Sequence, residues 1–388
     1  MQGFFAEQSK QRENITRLFN ESRVSGLSIS LLAGAPSALA DNLYLGYRDK
    51  EKKLKVTENT RFQMASLSKS VAAAFAVSYF ASKNISLDTK INQLLKEAGS
   101  PYLLLTDKEL EKSLALKVSI RHLLNHSALG MHYVRGHPLG QCPESLSLLK
   151  DLTLKKEPGK TFHYSGGGFI LLQYLLETLE KKPLHKIMAP FLKKSGLADF
   201  HATPQKDAEY ALGYRDDGRP IEGGRLSFPP LAAGFESTTK SFALFLCHLI
   251  NAYQAPQGQS PLEACIPKEM FTNPKDQGAM DFIGAKVGLG VFIAEAGPHK
   301  IALHQAANDG FRGLYMACIF GPKKGEGFVI ASNGDENAAM LNCLIARELL
   351  AHWQGVASFG EAAFDYTHLK QEEIVNLSLK KMVLDYFS

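Results

Sequence analysis

The sequence predicts an α/β (α+β) protein with one antiparallel sheet flanked by helices and an all-helical region inserted into it. Two observations carry this prediction. Strand-like runs lie near the beginning of the chain and again from residue 287, whereas helical periodicity dominates from about 66 to 200. The chain of 388 residues also exceeds what one typical core organises. The predicted units are a discontinuous sheet domain (1–75 and 236–356), a mainly helical domain (76–235) and a C-terminal tail with helical character (357–388).

The first part of the chain predicts a surface helix followed by a hairpin. Residues 4–22 are polar, with a few apolar positions that suit one face of a helix. Leu27 to Leu32 and Leu43 to Tyr47 are strand-like, and Gly34-Ala35-Pro36 between them is a turn signal. Two neighbouring strands with a short link favour a hairpin in the sheet.

The middle of the chain predicts helices separated by loops. The apolar run Val71 to Phe80 has helical spacing, and Asp88 is placed to cap a following helix. Residues 200–235 are rich in Gly, Pro and Asp and predict a long loop, which in a compact protein is often functional. Another helix is predicted from the apolar positions Phe169, Leu172, Leu176 and Leu179.

The last third returns to strands between two helices. A helix is expected over Thr239 to Tyr253, and another from the spacing of Ala338, Leu341, Leu344 and Ile345. The segment 321–325 is a natural hairpin turn. The expected strands are Val287 to Ala294, Ile301 to His304, Gly313 to Phe320 and Gly327 to Ser332.

Composition excludes several function classes. The net charge is +5 without a run of basic residues, so we expect no nucleic-acid partner. The longest apolar run is about half the length of a membrane span, so we expect no membrane span. The N-terminus lacks the pattern of a signal peptide, so we expect a cytoplasmic protein, with a removed leader or non-classical secretion as the alternatives. Five irregularly spaced cysteines favour a reducing compartment, and no motif calls for a cofactor or a metal.

The first chemical constellation is Ser66-Leu67-Ser68-Lys69 at the start of the apolar helix. Residues three apart on a helix face the same way, so Ser66 and Lys69 lie side by side. A serine hydroxyl needs a base, and a lysine serves as one only when burial or nearby cations lower its pKa. The alternative for this short motif alone is an ordinary surface pair.

The second constellation is Tyr164-Ser165-Gly166 before an apolar helix. A tyrosine beside a lysine can share its proton and pass it to a leaving group. The alternatives are a tyrosine packed by its ring, or a phosphate cradle formed by the glycines, which lacks the Gly-Lys-Ser/Thr that would follow.

The third constellation is His304-Gln305-Ala306-Ala307, predicted at the end of a strand. A strand edge beside the nucleophile could supply a backbone N–H to an oxyanion hole. A single histidine is more often structural than catalytic, so His304 alone is not specific.

Together these motifs resemble the superfamily of class C β-lactamases, penicillin-binding proteins, family VIII esterases and D-aminopeptidases, with the esterase-like branch favoured. The resemblance spans roughly residues 20–350 in the expected order. It rests on five segments: Arg61 to Lys69, Ile85 to Ile91, Ser119 to Ser127, Glu157 to Ser165 and Ala232 to Thr238.

The resemblance implies a β-lactamase/transpeptidase-like fold and an acyl-enzyme mechanism. In it, Ser66 is the nucleophile, Lys69 its base partner and Tyr164 the proton shuttle. The oxyanion hole would use the backbone N–H groups of Ser66 and Ala307, and His304 would stand where relatives have Lys or His.

Two departures from the family pattern bear on the substrate. Gly166 replaces the Asn that in relatives helps bind an amide side chain of the substrate, and Ala306 replaces a glycine, so that its methyl group crowds a substrate lying along the strand. Both disfavour a conventional β-lactamase and favour a small-molecule ester or amide substrate, with an ester preferred. A D-amino-acid peptidase, a weak β-lactamase, an acyltransferase and a catalytically silent or filament-forming scaffold remain alternatives.

Four further histidines and one cysteine are candidates for functional roles. His122 and His126 are four apart on a predicted helix, a spacing that can bind zinc, but no H-E-x-x-H accompanies them and a structural role is favoured. His132 and His137 are predicted in a loop near the pocket, and Cys142 has no pattern of a thiol nucleophile.

Overall fold

The computed structural model of the chain describes residues 9–104, 113–154, 157–197, 199–201, 205, 208–254, 260–272, 281–282, 285–296 and 298–353. The predicted tail 357–388 and residues 4–8 of the predicted first helix lie outside these ranges.

Nine described strands form one antiparallel sheet, in the spatial order β3-β2-β1-β13-β12-β11-β10-β9-β8. The sheet thus joins the beginning and the end of the chain, because β1 pairs with β13. This confirms the predicted fold class of a large antiparallel sheet flanked by helices. The strands are β1 (Gly26–Ala33), β2 (Ala38–Asp49), β3 (Leu54–Lys55), β8 (Asp281–Phe282), β9 (Ala285–Val287), β10 (Phe292–Ala296), β11 (His299–Asn308), β12 (Phe311–Phe320) and β13 (Gly327–Ser332).

Helices cover the sheet and fill the middle of the chain. They are α1 (Ser9–Ser22), α2 (Ser68–Ser82), α3 (Ile91–Glu97), α4 (Ile120–Leu124), α5 (Gly166–Glu180), α6 (Leu184–Lys194), α7 (Thr239–Gln254), α8 (Cys265–Met270) and α9 (Glu336–Trp353). Short 3₁₀ turns span Ala65–Leu67 and Ser145–Asp151, and a π-helical turn spans Pro230–Gly234. Two small ladders pair β4 (Phe62–Gln63) with β7 (Glu236–Ser237), and β5 (His137–Pro138) with β6 (Leu226–Ser227). None of the described helices is long and apolar enough to cross a membrane.

Strand alternation divides the sheet into two buried faces. In β1 the side chains of Leu27 and Ile29 join a core with α1 and α9, while Ser28 and Ser30 point the other way. Both serine hydroxyls lie within hydrogen-bond distance of the Thr239 hydroxyl at the start of α7, at 2.7 and 2.8 Å. The second face belongs to a larger core that continues into the helical region.

Two predicted strands differ from the observed ones. The predicted strand Val287 to Ala294 is interrupted between β9 and β10, because Gly290 adopts φ +63° and its backbone lies against α2. A Cβ at Gly290 would lie 2.4 Å from the Lys69 carbonyl oxygen, so only glycine fits this approach. The predicted short strand ending at His304 is instead the ten-residue β11, so His304 lies within the strand.

Two further predictions about local roles are wrong. Asp88 does not cap α3, whose N-cap is Lys90 without a side-chain bond. Asp88 instead accepts a hydrogen bond from Arg121 at 2.9 Å. His122 and His126 do not share a helix, since α4 ends at Leu124 and His126 follows with φ +58°.

Candidate active site

Ser66 lies in a 3₁₀ turn that leads directly into α2. The residue before it, Ala65, has φ +45°, a left-handed conformation that costs a non-glycine residue about 1 kcal/mol. Strain of this kind persists where surrounding structure enforces it, and it is concentrated at functional sites. The turn packs against β11 and the π-helical turn, so the serine sits at the junction of sheet and helical region.

Lys69 lies one turn further along and faces the Ser66 side chain, as the spacing predicts. Its Nζ donates to Ser66 Oγ at 3.1 Å and to the Ala232 carbonyl oxygen at 2.6 Å. The side chain is 1% exposed, and no ion pair among the described residues includes it. Because burial penalises the ammonium, the pKa of Lys69 falls to about 7. A neutral lysine at this position can accept the serine proton.

Tyr164 completes a three-residue cluster around the serine oxygen. Its hydroxyl donates to Ser66 Oγ at 2.7 Å, and Lys69 Nζ lies 5.0 Å from the centre of its ring. Burial raises the pKa of the phenol, so it keeps its proton at neutral pH. The three groups are therefore close enough to exchange protons through Ser66 Oγ.

His126 holds the tyrosine ring in place. The two rings stack with centroids 4.5 Å apart, and the His126 Nδ1 accepts a hydrogen bond from the Ser165 backbone N–H at 3.0 Å. Burial and the nearby Lys69 lower the pKa of His126 well below its ordinary value, so the ring is neutral. His126 was predicted as part of a structural segment, and its contacts connect that segment to Tyr164.

His304 lies in β11 and faces the same cluster. Its Nδ1 contacts the Gln305 carbonyl oxygen, so the proton is on Nδ1 and Nε2 carries the lone pair. Nε2 is buried and has no hydrogen-bond partner among the described residues. Burial, with a contribution from Lys69, lowers the pKa of His304 to about 3. The ring is thus a neutral acceptor and not a cation.

Ala306 and Ala307 occupy the part of β11 that β10 leaves uncovered. The pairing of β10 with β11 runs from Ala296↔His299 to Phe292↔Leu303, and no described strand pairs with 304–308 on that side. Ala307 stands opposite Arg312 of β12. The structure therefore places the predicted oxyanion segment at an open strand edge beside Ser66.

A cavity of about 340 Å³ opens at this edge. Alternation along β11 turns His304 and Ala306 to one face of the strand and Gln305 and Ala307 to the other. The cavity contacts both pairs, so it wraps around the strand edge from Ser66 to α9. Its lining is Ser66, Tyr133, Tyr164, His304, Gln305, Ala306, Ala307, Arg312, Gly313, Leu314, Glu336, Ala339, Asn342 and Cys343.

Gly166 begins α5 and does not line this cavity. A Cβ there would lie 2.8 Å from Val134 Cγ1 and 3.4 Å from the His132 carbonyl oxygen. The space next to Gly166 is therefore filled by the 132–134 segment, and an asparagine would require Val134 to move. Glycine at this position therefore matches the presence of Val134, which fills the space that the asparagine of the family pattern would need.

Sequence reasoning missed a buried polar network behind Ser66. Asn308 donates to the Ala233 carbonyl oxygen at 3.1 Å and to Gln63 Oε1 at 3.4 Å. Glu236 is buried and forms an ion pair with Arg225, whose Nη1 lies 2.9 Å from Glu236 Oε1. In the sequence, Gln63 lies close to the first motif and Asn308 directly follows the third. Their positions next to these motifs were the one sequence signal that could have identified them as part of the site.

The other sequence candidates lie outside the cavity lining. His122 accepts a hydrogen bond from the Ser119 backbone N–H at 3.3 Å in a helix cap, which is a structural role. His132, His137 and Cys142 do not line the cavity, whereas Tyr133 does. Within the described ranges, no group of three His, Cys, Asp or Glu side chains is arranged to hold a metal ion.

The family follows from fold and motifs together. The sequence model of the Beta-lactamase family matches residues 15–351, so the chain belongs to this family of serine hydrolases, and the resemblance is confirmed. No curated protein matches the sequence.

Solved structures with the same fold belong to proteins with different described activities. A β-lactamase/D-alanine carboxypeptidase from Pseudomonas syringae is 18% identical, with a TM-score of 0.68 over 89% of this chain and 98% of that one. An octameric penicillin-binding protein homologue from Pyrococcus abyssi is 20% identical, with a TM-score of 0.67 over 90% and 77%. EstCE1, a hydrolase with promiscuous acyltransferase activity, is 17% identical, with a TM-score of 0.66 over 85% and 95%. At these identities the likeness shows the fold alone.

Proposed function

We propose that this protein hydrolyses an uncharged carboxylic ester of modest size through an acyl-enzyme on Ser66. The observation that carries the proposal is the position of Lys69. It is a buried amine without a carboxylate partner in the described ranges, and its Nζ lies 3.1 Å from a serine hydroxyl that also contacts Tyr164. Strongly perturbed groups gathered around a nucleophile in a cavity are typical of active sites.

Acylation proceeds by proton exchange within this cluster. Neutral Lys69 takes the proton of Ser66 Oγ, and the oxygen attacks the ester carbonyl carbon. The backbone N–H groups of Ser66 and Ala307 stabilise the oxyanion. When the C–O bond breaks, the leaving oxygen takes the phenol proton of Tyr164, and Lys69 returns its proton to the tyrosine.

Deacylation repeats the sequence with water. The water gives a proton to the Tyr164–Lys69 pair while its oxygen attacks the acyl carbon. Ser66 then leaves with a proton and the acid is released, so the enzyme returns to its initial protonation state. No further group is needed to balance the reaction.

The charges around the cavity support an uncharged substrate. His304 is neutral, and Arg312 is paired with Asp335 and Glu336 at 3.4 and 2.7 Å. A substrate carboxylate would find no unpaired cation among the described residues that line the cavity, and Lys69, which lies beside Ser66, must be neutral to act. The filled space at Gly166 also disfavours the amide-bearing side chains that relatives bind there. An ester is therefore favoured over a β-lactam or a D-amino-acid peptide.

The proposal is tested by intact-protein mass after brief exposure to a fluorophosphonate, 4-nitrophenyl acetate or a penicillin. We expect an adduct on the native protein, steady turnover of the ester alone, and neither in Ser66→Ala. Ser82→Ala is the matched control, since this exposed serine lies at the far end of α2, the helix that follows Ser66. No adduct with any reagent on folded protein would favour the silent-scaffold alternative.

The pH dependence provides a second test. Because only neutral Lys69 accepts the serine proton, kcat/KM should rise with pH through the lysine pKa of about 7. A rate that falls as pH rises from 6 to 8 would contradict a lysine base.

A further inference from the structure

The cavity extends well beyond the three residues of the proposed chemistry, toward α9. Four residues of that helix line it, namely Glu336, Ala339, Asn342 and Cys343. They face Gln305 across the cavity, and the Gln305 amide nitrogen lies 3.8 Å from the Cys343 sulfur. The acyl-transfer steps use none of these residues.

Asn342 provides a hydrogen-bond donor in this part of the cavity. The side chain is 3% exposed, and its Oδ1 accepts a hydrogen bond from the Ser332 hydroxyl at 2.9 Å. Because Ser332 occupies Oδ1, Nδ2 is the amide atom of this cavity-lining side chain that remains to be bonded. Nδ2 is buried and has no hydrogen-bond partner among the described residues. A buried donor without a partner is costly unless something accepts from it.

The charges at this end restrict which acceptors the Asn342 N–H can donate to. Arg312 donates to Glu336 at 2.7 Å and pairs with Asp335, which also pairs with Arg215. Asp309 is a second partner of Arg215. Two guanidinium groups thus face three carboxylates. An anionic group would be buried here without a compensating cation, whereas a neutral oxygen pays no such penalty.

The position of Tyr164 decides which part of the substrate reaches Asn342. In the proposed mechanism Tyr164 gives its proton to the leaving oxygen, so the alcohol portion lies against Tyr164 and His304. From these residues the cavity continues past Gln305 to α9.

We propose that Asn342 forms a leaving-group subsite for a neutral hydrogen-bond acceptor, such as a ketone, ester or amide carbonyl on the alcohol portion of the substrate. This inference rests on the proposed function, since it takes the leaving group from the Ser66 chemistry. The preferred natural substrates are then esters whose alcohol carries a second, uncharged carbonyl group.

The test uses three pairs of acetate esters that differ by one carbonyl: 4-oxopentyl with pentyl, 5-oxohexyl with hexyl, and 6-oxoheptyl with heptyl acetate. A distant ketone hardly alters the alcohol as a leaving group, so the ratio of kcat/KM within a pair reports recognition alone. In the native protein at least one pair should favour the ketone by roughly three- to tenfold, the range of one hydrogen bond.

Variants at Asn342 assign the effect. Asn342→Leu should bring the ratio close to one, and Asn342→Asp, which keeps the acceptor for Ser332 but presents an oxygen to the cavity, should bring it below one. Asn337→Leu on the same helix is the matched control and should retain the native ratio, since Asn337 does not line the cavity. The ratio is internal to each protein, so a general loss of activity does not disturb it.

The outcomes separate the two proposals. Turnover of 4-nitrophenyl acetate that depends on Ser66, with native ratios near one for all three pairs, would overturn the subsite and leave the esterase proposal standing. Ketone preferences that persist in both Asn342 variants would also overturn it. Absence of any Ser66 adduct or turnover would reject the proposed function itself, and the subsite with it.

Discussion

Two basic residues lie near opposite ends of the cavity, and only one of them has carboxylate partners among the described residues. At the α9 end Arg312 is paired with Asp335 and Glu336. At the other end Lys69, beside the cavity-lining Ser66, is buried without a carboxylate in the described part of the chain, and burial lowers its pKa to about 7. The guanidinium is held by two carboxylates, whereas the buried amine has the lowered pKa that a proton acceptor needs. The contrast separates a region suited to recognition from one suited to proton transfer.

The largest effect should come from giving the catalytic end a permanent charge. Arginine keeps its proton at any pH the protein survives, so Lys69→Arg should lower kcat/KM for 4-nitrophenyl acetate by about 10³-fold or more. Initial rates and thermal melting of the purified variant measure this. Lys96→Arg, on the exposed side of α3, is the control for the substitution itself. Activity within tenfold of the native protein would show that Lys69 is not the base.

Removing the phenol should have the next largest effect, and the effect should depend on the leaving group. Tyr164→Phe should lower kcat for an alkyl acetate by about 10²-fold, because an alkoxide needs a proton to depart. The loss should be smaller for 4-nitrophenyl acetate, whose leaving group departs without one. Tyr133→Phe, at another tyrosine of the cavity lining, is the control. Equal losses on both esters would argue against proton delivery by Tyr164.

Much of the catalytic end was predictable from sequence, because its geometry is local. The three-residue spacing on a helix alone places Ser66 beside Lys69. The family resemblance brings in Tyr164 and β11, and the strand pattern at the two chain ends predicts the antiparallel sheet. These predictions depend on helical and strand periods, which the sequence displays directly.

The α9 end was not predictable, because its geometry depends on contacts between distant segments. In the sequence, Asn342 is one polar position in an amphipathic helix. Only the packing of α9 against β13 brings its Oδ1 within hydrogen-bond distance of Ser332. Val134 likewise fills the space at Gly166 from 32 positions earlier in the chain. The break between β9 and β10 arises where the Gly290 backbone contacts α2, and the sequence around Gly290 does not predict this contact.

A third prediction concerns the stability cost of an unbalanced lysine. The folded-state pKa of Lys69 is about 7 against an ordinary value of 10.5, so between these pH values the unfolded chain binds more protons than the folded one. Native stability should therefore be reduced by this residue at pH 7 and recover as pH rises toward 10.5. Lys69→Met removes the cost, so its advantage in unfolding free energy over the native protein should shrink by about 3 kcal/mol between pH 7 and pH 10.

Urea unfolding of both proteins at the two pH values measures this difference. Other groups titrate in both proteins and cancel in the comparison. Lys96→Met is the exposed control and should show a difference below about 1 kcal/mol. A constant advantage for Lys69→Met at both pH values would mean that the lysine is charged in the folded protein.

The smallest effect should come from removing one carboxylate charge at the α9 end of the cavity. Glu336 is about half exposed, with a side-chain accessibility of 55%, so solvent screens its pairing with Arg312. Glu336→Gln leaves two guanidinium groups facing two carboxylates, and the variant should improve kcat/KM for 5-carboxypentyl acetate relative to hexyl acetate by only two- to threefold. The gain should vanish in about 1 M salt, where charges are screened within about 3 Å. Glu326→Gln, in the turn between β12 and β13, should leave the ratio unchanged. A tenfold or salt-independent gain would mean that Arg312 binds the substrate directly, and the α9 end would then be a site for anions rather than for the neutral acceptors that Asn342 favours.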